Sequence, residues 1–234
     1  GAEKSIREIA ERGKLPILAG GTGLYVNAIL YPMNFTDAAE DPEYRRYLNG
    51  LLKTHGKEYL HSLLRHIDPE TAERLHPNDT RRIIRAMEVS HVTGKSMMAY
   101  RQDFRNMDSS YEWMLYGLTM DRQQLYERIN KRVDRMIRGG LAEEVLGLLD
   151  RGYSGDLVSM QGLGYKEMIP YLEGLSTLEE AEEILKRDTR RLAKRQMTWF
   201  RRETRIQWID VGQFENRQAI GGQLVSDIEK KWAF

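Results

Sequence analysis

The stretch "LPILAGGTGLYVNAILY", Leu15–Tyr31, decides the fold class. Its first half is a short apolar run ending in paired glycines, the pattern of a buried strand. Its second half returns to helical spacing. Upstream, residues 3–12 read as an amphipathic helix with Gly13 at its C-terminal end. Helix, strand, glycine turn and helix is the order met inside a parallel α/β sheet. Gly20 and Gly21 at the carboxyl end of such a strand let backbone N–H groups approach an anion, and Thr22 adds a hydroxyl. A tight strand-to-helix turn with no ligand accounts for the same residues equally well.

Outward from this stretch the strand signal vanishes between Asp41 and about Tyr100, where short helical patterns follow one another. Strand chemistry returns in "YEWMLYGLTM", Tyr111–Met120, and in "TRIQWID", Thr204–Asp210. Between these lie a helix over Asp121–Arg138, ended by Gly139 and Gly140, and a long helix starting at Ser176. The long helix is acidic in its first turns and basic later, which complements the helix dipole. The expectation is an α/β chain with a parallel-sheet core over 1–40 and 109–234 and an all-helical insertion over 41–108.

Composition limits the function. Lys and Arg number 36 against 35 Asp and Glu, so a nucleic-acid surface must come from local clustering. The chain has no cysteine, which excludes disulfides and thiolate zinc sites and is compatible with a cytoplasmic location. His55, His61, His66 and His76 show no metal spacing, and His91 falls on an apolar arc where packing is expected. No apolar run approaches the ~20 residues of a membrane span. Gly94–Ser96 spell Gly-Lys-Ser, but Val89 stands where a phosphate-binding loop needs its first glycine.

The clustering is there. "RRLAKRQMTWFRR", Arg190–Arg202, interleaves bases with Leu192, Trp199 and Phe200. Such a helix either meets phosphates or solvates one face and packs the other. In the Asp121–Arg138 helix, Leu125, Ile129, Val133, Met136 and Ile137 share an apolar arc, and Arg128, Lys131, Arg135 and Arg138 share a basic one. Arg132 sits at the edge of the apolar arc, about 20° from Leu125. An arginine there needs a partner, either a structural carboxylate or a bound phosphate gripped bidentately. "HPNDTRRIIRAMEV", His76–Val89, sets Ile83, Ile84 and Met87 against Arg81, Arg82 and Arg85. "MQGLGYKEM", Met160–Met168, is either a packed glycine loop or a base-reading one.

Taken together, "LAGGTGLY", "DPEYR", "HPNDTRRIIRAMEV", "YERINKRVDRMIRGGL", "QGLGYKEM" and "RRLAKRQMTWFRR" resemble, in order and spacing, the bacterial tRNA dimethylallyltransferases, also called tRNA isopentenyltransferases. The resemblance covers nearly the whole chain. It implies a P-loop NTPase-like parallel-sheet core with a helical insertion. It implies transfer of a dimethylallyl group from its diphosphate to N6 of the adenosine 3′ to the anticodon, with Mg2+ as cofactor. Carried over residue by residue, it implies that Arg132, with Gly20 and Gly21, holds the diphosphate and that Thr22 lies near the reacting centre and the tRNA. The tRNA anticodon stem-loop would meet Arg45, Arg81, Arg82, Ile83, Ile84 and Arg85. It would also meet Gln161, Gly162, Leu163, Gly164, Tyr165 and Lys166, and Arg190, Lys194, Arg195, Gln196 and Arg201. A cytoplasmic monomer with no membrane partner is expected. The family's P-loop, and the Asp-Ser segment that supplies its base, do not stand in this sequence, and a P-loop ligand to Mg2+ is missing with them. The expectation is therefore a core incomplete at its N-terminus, inactive and poorly soluble by itself. Two alternatives stay open, prenyl transfer to a free adenine nucleotide and a non-catalytic RNA-binding module.

Overall fold

A computed structural model describes residues 1–31, 40–100 and 111–232, and of Ala99 and Tyr100 the backbone alone. It divides into two compact units, Gly1–Leu18 with Leu24–Glu112, and Ala19–Gly23 with Trp113–Phe234. Residues 19–23 group with the second unit.

The first unit is helical among its described residues. Helix α1 (Ala2–Glu11) buries no residue, and α2 (Gly23–Leu30) begins just after Thr22. Asp41 opens α3 (Pro42–Ile67) by accepting from the N–H groups of Glu43 and Tyr44, and Gly56 breaks that helix with φ +82°. Asp68 ends α3 and caps α4 (Pro69–Arg74), then reaches Ser96 Oγ at 2.9 Å and the Met97 N–H at 2.9 Å before α6 (Met97–Tyr100). Leu48, Leu60 and Leu64 of α3 pack on Ile83, Ala86 and Met87 of α5 (Thr80–Thr93). His61 Nε2 lies 3.0 and 2.8 Å from the carbonyl oxygens of Ala72 and Leu75, so that nitrogen carries the hydrogen.

The second unit holds the sheet. Strands β1 (Tyr116–Thr119) and β2 (Gln207–Asp210) pair in parallel, with Tyr116 opposite Gln207 and Thr119 opposite Asp210. Parallel strands need a crossover. Here it runs through α7 (Arg122–Arg138), α8 (Leu141–Asp150), α9 (Tyr165–Leu172) and α10 (Leu178–Phe200). Their core is Val133, Leu141, Val145, Met160, Met168, Ala181 and Leu185. A 3₁₀ turn (Val211–Gln213) and α11 (Arg217–Trp232) follow β2. A β-carbon at Gly117 would stand 2.6 Å from the Trp208 ring, so this position in β1 admits no side chain. No helix of the described residues is long and apolar enough to cross a membrane.

Three expectations are corrected. Residues 15–18 form no strand, and Ile17 is 79% exposed. Apolar sequence makes a strand only with a ladder partner, and none is seated beside these residues among those described. His91 is exposed, stacked on Tyr44 at a ring separation of 4.0 Å with Asp41 at 3.7 Å, and is not a core residue. The long helix is capped by Thr177 with Glu180, one residue beyond the expected Ser176 and Glu179.

The first unit turns on Glu88, whose side chain is fully buried. Arg45 Nε reaches its carboxylate at 2.7 Å, Arg85 pairs with it from one turn before, and the Asp41 N–H donates at 2.9 Å. Burial pushes the Glu88 carboxyl up, but hydrogen bonds from Arg85, the Asp41 N–H and Arg45 outweigh it and hold it below the ordinary range. Its charge therefore adds stability that is full above the unfolded glutamate pKa and is lost as pH falls through the lowered folded value. Glu88→Gln is expected to cost about 1–3 kcal/mol at pH 7. In urea unfolding, the gap between wild type and variant should shrink as pH falls below 4. A gap constant from pH 7 to pH 3 would show that Glu88 is not folded as a carboxylate.

Candidate functional site

The second unit encloses a cavity of about 1540 Å³. Its walls are α7, the C-terminal half of α10, the end of β1 and the start of α11. Apolar groups include Leu118, Leu125, Ile129, Met136, Met197, Ile220 and Leu224. Around them stand Arg122, Arg128, Lys131, Arg132, Arg135, Arg138, Lys194, Arg201 and Arg217, with Asp134 as the one lining carboxylate. Helix α7 delivers both kinds of group because its apolar arc packs inward while the flanking arcs turn to the opening.

No ion pair joins any of these nine cations to a carboxylate among the described residues. Neutral groups orient three of them, Arg128 among them through the Met120 sulfur at 3.9 Å. Arg122 Nε donates to the Tyr126 hydroxyl at 3.1 Å, and Arg135 Nε donates to the Lys131 carbonyl at 3.2 Å. Asp134 is claimed by Lys186 of α10 at 2.8 Å, and Lys186 is also held by Glu182 at 2.6 Å. The bond to Asp134, then that to Glu182, raises the Lys186 ammonium above the ordinary lysine range, and Asp134 is lowered chiefly by Lys186. An apolar cavity with an uncompensated positive rim suits a ligand with an anionic head and an apolar body. Arg132 lines it, exposed, and of the two partners open to it the described structure supplies no carboxylate.

Helix α10 divides its polar residues between two tasks. Arg190 donates to Asn130 Oδ1 of α7 at 2.7 Å, and Gln196 Nε2 donates to the Gly21 carbonyl at 3.2 Å. Lys194 and Arg201 line the cavity, and Arg195 is exposed. Leu192 and Trp199 stand one heptad apart on α10, but Leu192 is 36% exposed. The glycine turn covers only the far end of that face. A β-carbon at Gly23 would stand 2.0 Å from Trp199 Cδ1, and one at Gly21 would stand 2.4 Å from Gln196 Nε2. These two glycines permit close approach of α10. Gly20, Gly21 and Thr22 do not line the cavity, and Thr22 is exposed.

The 161–166 loop is held from within. Gly164, at φ +110°, donates its N–H to Glu167 Oε2 at 2.8 Å, and Gln161 Nε2 donates to the Gly155 carbonyl at 2.7 Å. The Tyr165 hydroxyl bonds Glu144, which raises its pKa, and Leu163 packs on the core. Gly162 and Lys166 are exposed. In the first unit, Arg81 and Arg82 are exposed, whereas Arg45 and Arg85 are bound to Glu88. Ile83 and Ile84 are buried in the helical core and their side chains cannot meet tRNA, which corrects their inclusion with the arginines. They were swept in with a contiguous stretch, but 100° per residue turns them inward.

Sequence reasoning missed Glu88, Asp134, Glu167 and Lys186. Only Glu88 carried a usable signal, an acid flanked by Met87 and Val89 one turn after Arg85. No group of three or more His, Asp or Glu that could hold a metal ion occurs among the described residues.

Comparison with known proteins bears on this geometry. Residues 1–203 match the family profile described as IPP transferase. A tRNA dimethylallyltransferase of Carboxydothermus hydrogenoformans is 49% identical over 226 residues, covering 97% of this chain and 72% of its own length. One from Alkaliphilus metalliredigens is 50% identical over 210 residues, covering 90% and 67%. Among solved structures, the full-length tRNA isopentenylpyrophosphate transferase of Bacillus halodurans superposes with a TM-score of 0.64 at 43% identity, covering 97% of this chain and 71% of its own. A eukaryotic dimethylallyltransferase acting on tRNA gives 0.68 at 26% identity, covering 96% and 60%. These likenesses carry the fold class as well, an α/β core of P-loop type with a helical insertion. With a profile match over most of its length and relatives at half identity, the chain belongs to the IPP transferase family.

Proposed function

We propose that this protein transfers a dimethylallyl group from dimethylallyl diphosphate to N6 of the adenosine 3′ to the anticodon in tRNA. The observation that carries the reading is the cavity of unpaired cations on apolar groups, with Arg132 among them, in a member of this family. In the reaction the N6 lone pair bonds C1 of the donor, the C1–O bond breaks, and diphosphate leaves with the electron pair. N6 then yields a proton to a base. Arg132 and its neighbours on α7 stabilise the charge that grows on the leaving diphosphate, where a guanidinium fork matches two oxygens at once. Leu125, Ile129 and Met197 suit the prenyl chain.

On the RNA side, Lys194, Arg195 and Arg201 neutralise phosphates, while Arg190 and Gln196 hold α10 in place through Asn130 and Gly21. Thr22 serves near the reacting centre. Arg45, Arg81, Arg82 and Arg85 belong to a second RNA-contacting surface, and Gly162 and Lys166 are exposed members of the glycine loop, Lys166 in an ion pair with Glu167 at 3.5 Å. Gly20 and Gly21 enter as diphosphate contacts through the family resemblance alone, and so does Mg2+. No step is routed through the metal. The division into a core (1–40, 109–234) and an insertion (41–108), a cytoplasmic location and a monomeric state complete the reading.

The full-length gene product, given dimethylallyl diphosphate, should prenylate tRNA and leave AMP unmodified. Transfer to AMP would instead favour a mononucleotide enzyme, and binding of tRNA without transfer would favour an RNA-binding module. Arg132→Ala should raise the Michaelis constant for the donor and slow transfer, with Arg132→Lys rescuing only in part because the bidentate grip is lost. An unchanged donor constant with a lower melting temperature would assign Arg132 to structure. Lys194→Gln with Arg201→Gln should reduce the salt slope of log tRNA affinity by roughly 0.7–0.9 per lost phosphate contact.

A further inference from the structure

Asp134 is out of place in the cavity. It is the one lining carboxylate, and it stands on α7 one turn before Arg138 and one turn after Lys131. An acid four residues before an arginine is the favourable order for pairing on a helix. Yet Asp134 forms no ion pair with either among the described residues, and Arg138 acts on it only through space. Its Oδ1 lies 2.8 Å from Nζ of Lys186, which reaches across from α10 and lines no part of the cavity. Lys186 is 14% exposed and also meets Glu182 at 2.6 Å and Glu183 at 3.4 Å. One turn earlier on α7 and one turn later on α10, Arg190 donates to Asn130. These two contacts step along the same seam and fix Lys186 opposite Asp134.

We propose that Lys186 is a positioning residue for anion binding, which by holding Asp134 on the α7–α10 seam keeps Arg138 and Lys131 free for the ligand. Without Lys186, Asp134 loses its cation on α10 and turns along its own helix to Arg138, whose charge already acts on it. The cavity then loses a free cation and gains a competing carboxylate. This rests on the reading of the cavity as a diphosphate site.

The test is titration of the protein with inorganic pyrophosphate by calorimetry, with a thermal midpoint for each variant. Lys186→Met should weaken binding by about tenfold, the loss expected when a nearby carboxylate is released at an effective dielectric of about 20. Lys186→Met with Asp134→Asn should bind within about twofold of wild type, because the released acid is then neutral. Asp134→Asn alone should bind at least as tightly as wild type. The proposal is overturned if Lys186→Met binds like wild type, if the double variant stays as weak as the single one, or if Asp134→Asn loses affinity. A wild-type titration that is already flat fails the diphosphate reading itself, and this inference with it, before any variant is compared.

Discussion

Nine cations around one cavity repel one another, and the second unit is organised about that constraint. The whole chain carries a net charge of only +1, so acids were available to pair with them. They stand elsewhere. Those of α10 crowd its first turns, where they favour the helix dipole, and Glu182 with Glu183 meets Lys186. Packing therefore has to hold the repelling wall in place. Val133 on α7 and Leu185 on α10 belong to one core, and the seam bonds Asp134–Lys186 and Asn130–Arg190 flank it. Like charges held this way have no ion-pair partner among the described residues, an arrangement that favours an anionic ligand.

The glycine turn serves the same wall from the other side of α10. Gly21 accepts from Gln196, and the Trp199 indole sits where a side chain at Gly23 would be. The residues of α10 next in sequence, Lys194, Met197 and Thr198, line the cavity. The glycine turn thus packs against the helix that carries the cations.

The first unit shows how little an arginine's position in sequence says of its employment. Arg45 and Arg85 are drawn into Glu88, whose burial makes a bare carboxylate costly and so fixes both guanidiniums. Arg81 and Arg82, beside them in the same basic stretch, stay exposed. Arg132 and Arg190 differ in the same way. The arginine at the edge of the apolar arc is free in the cavity, while the one opening the basic run is bound to Asn130.

By itself the sequence determined the helices, the caps at Asp121 and Gly139, the two strands and the insertion, because these follow from local periodicity and local hydrogen bonding. It also determined the family, through several motifs in register. Only the tertiary structure decided which charges are spent. Glu88 meets Arg45 across 43 residues and Lys186 meets Asp134 across 52, and no pattern within a helix announces a partner on another one. The same limit explains Leu15–Leu18, which reads as a strand yet forms none, and Leu192, which reads as core yet lies exposed. Strand and core are properties of what packs alongside, and that neighbour is fixed by the fold, not by the segment.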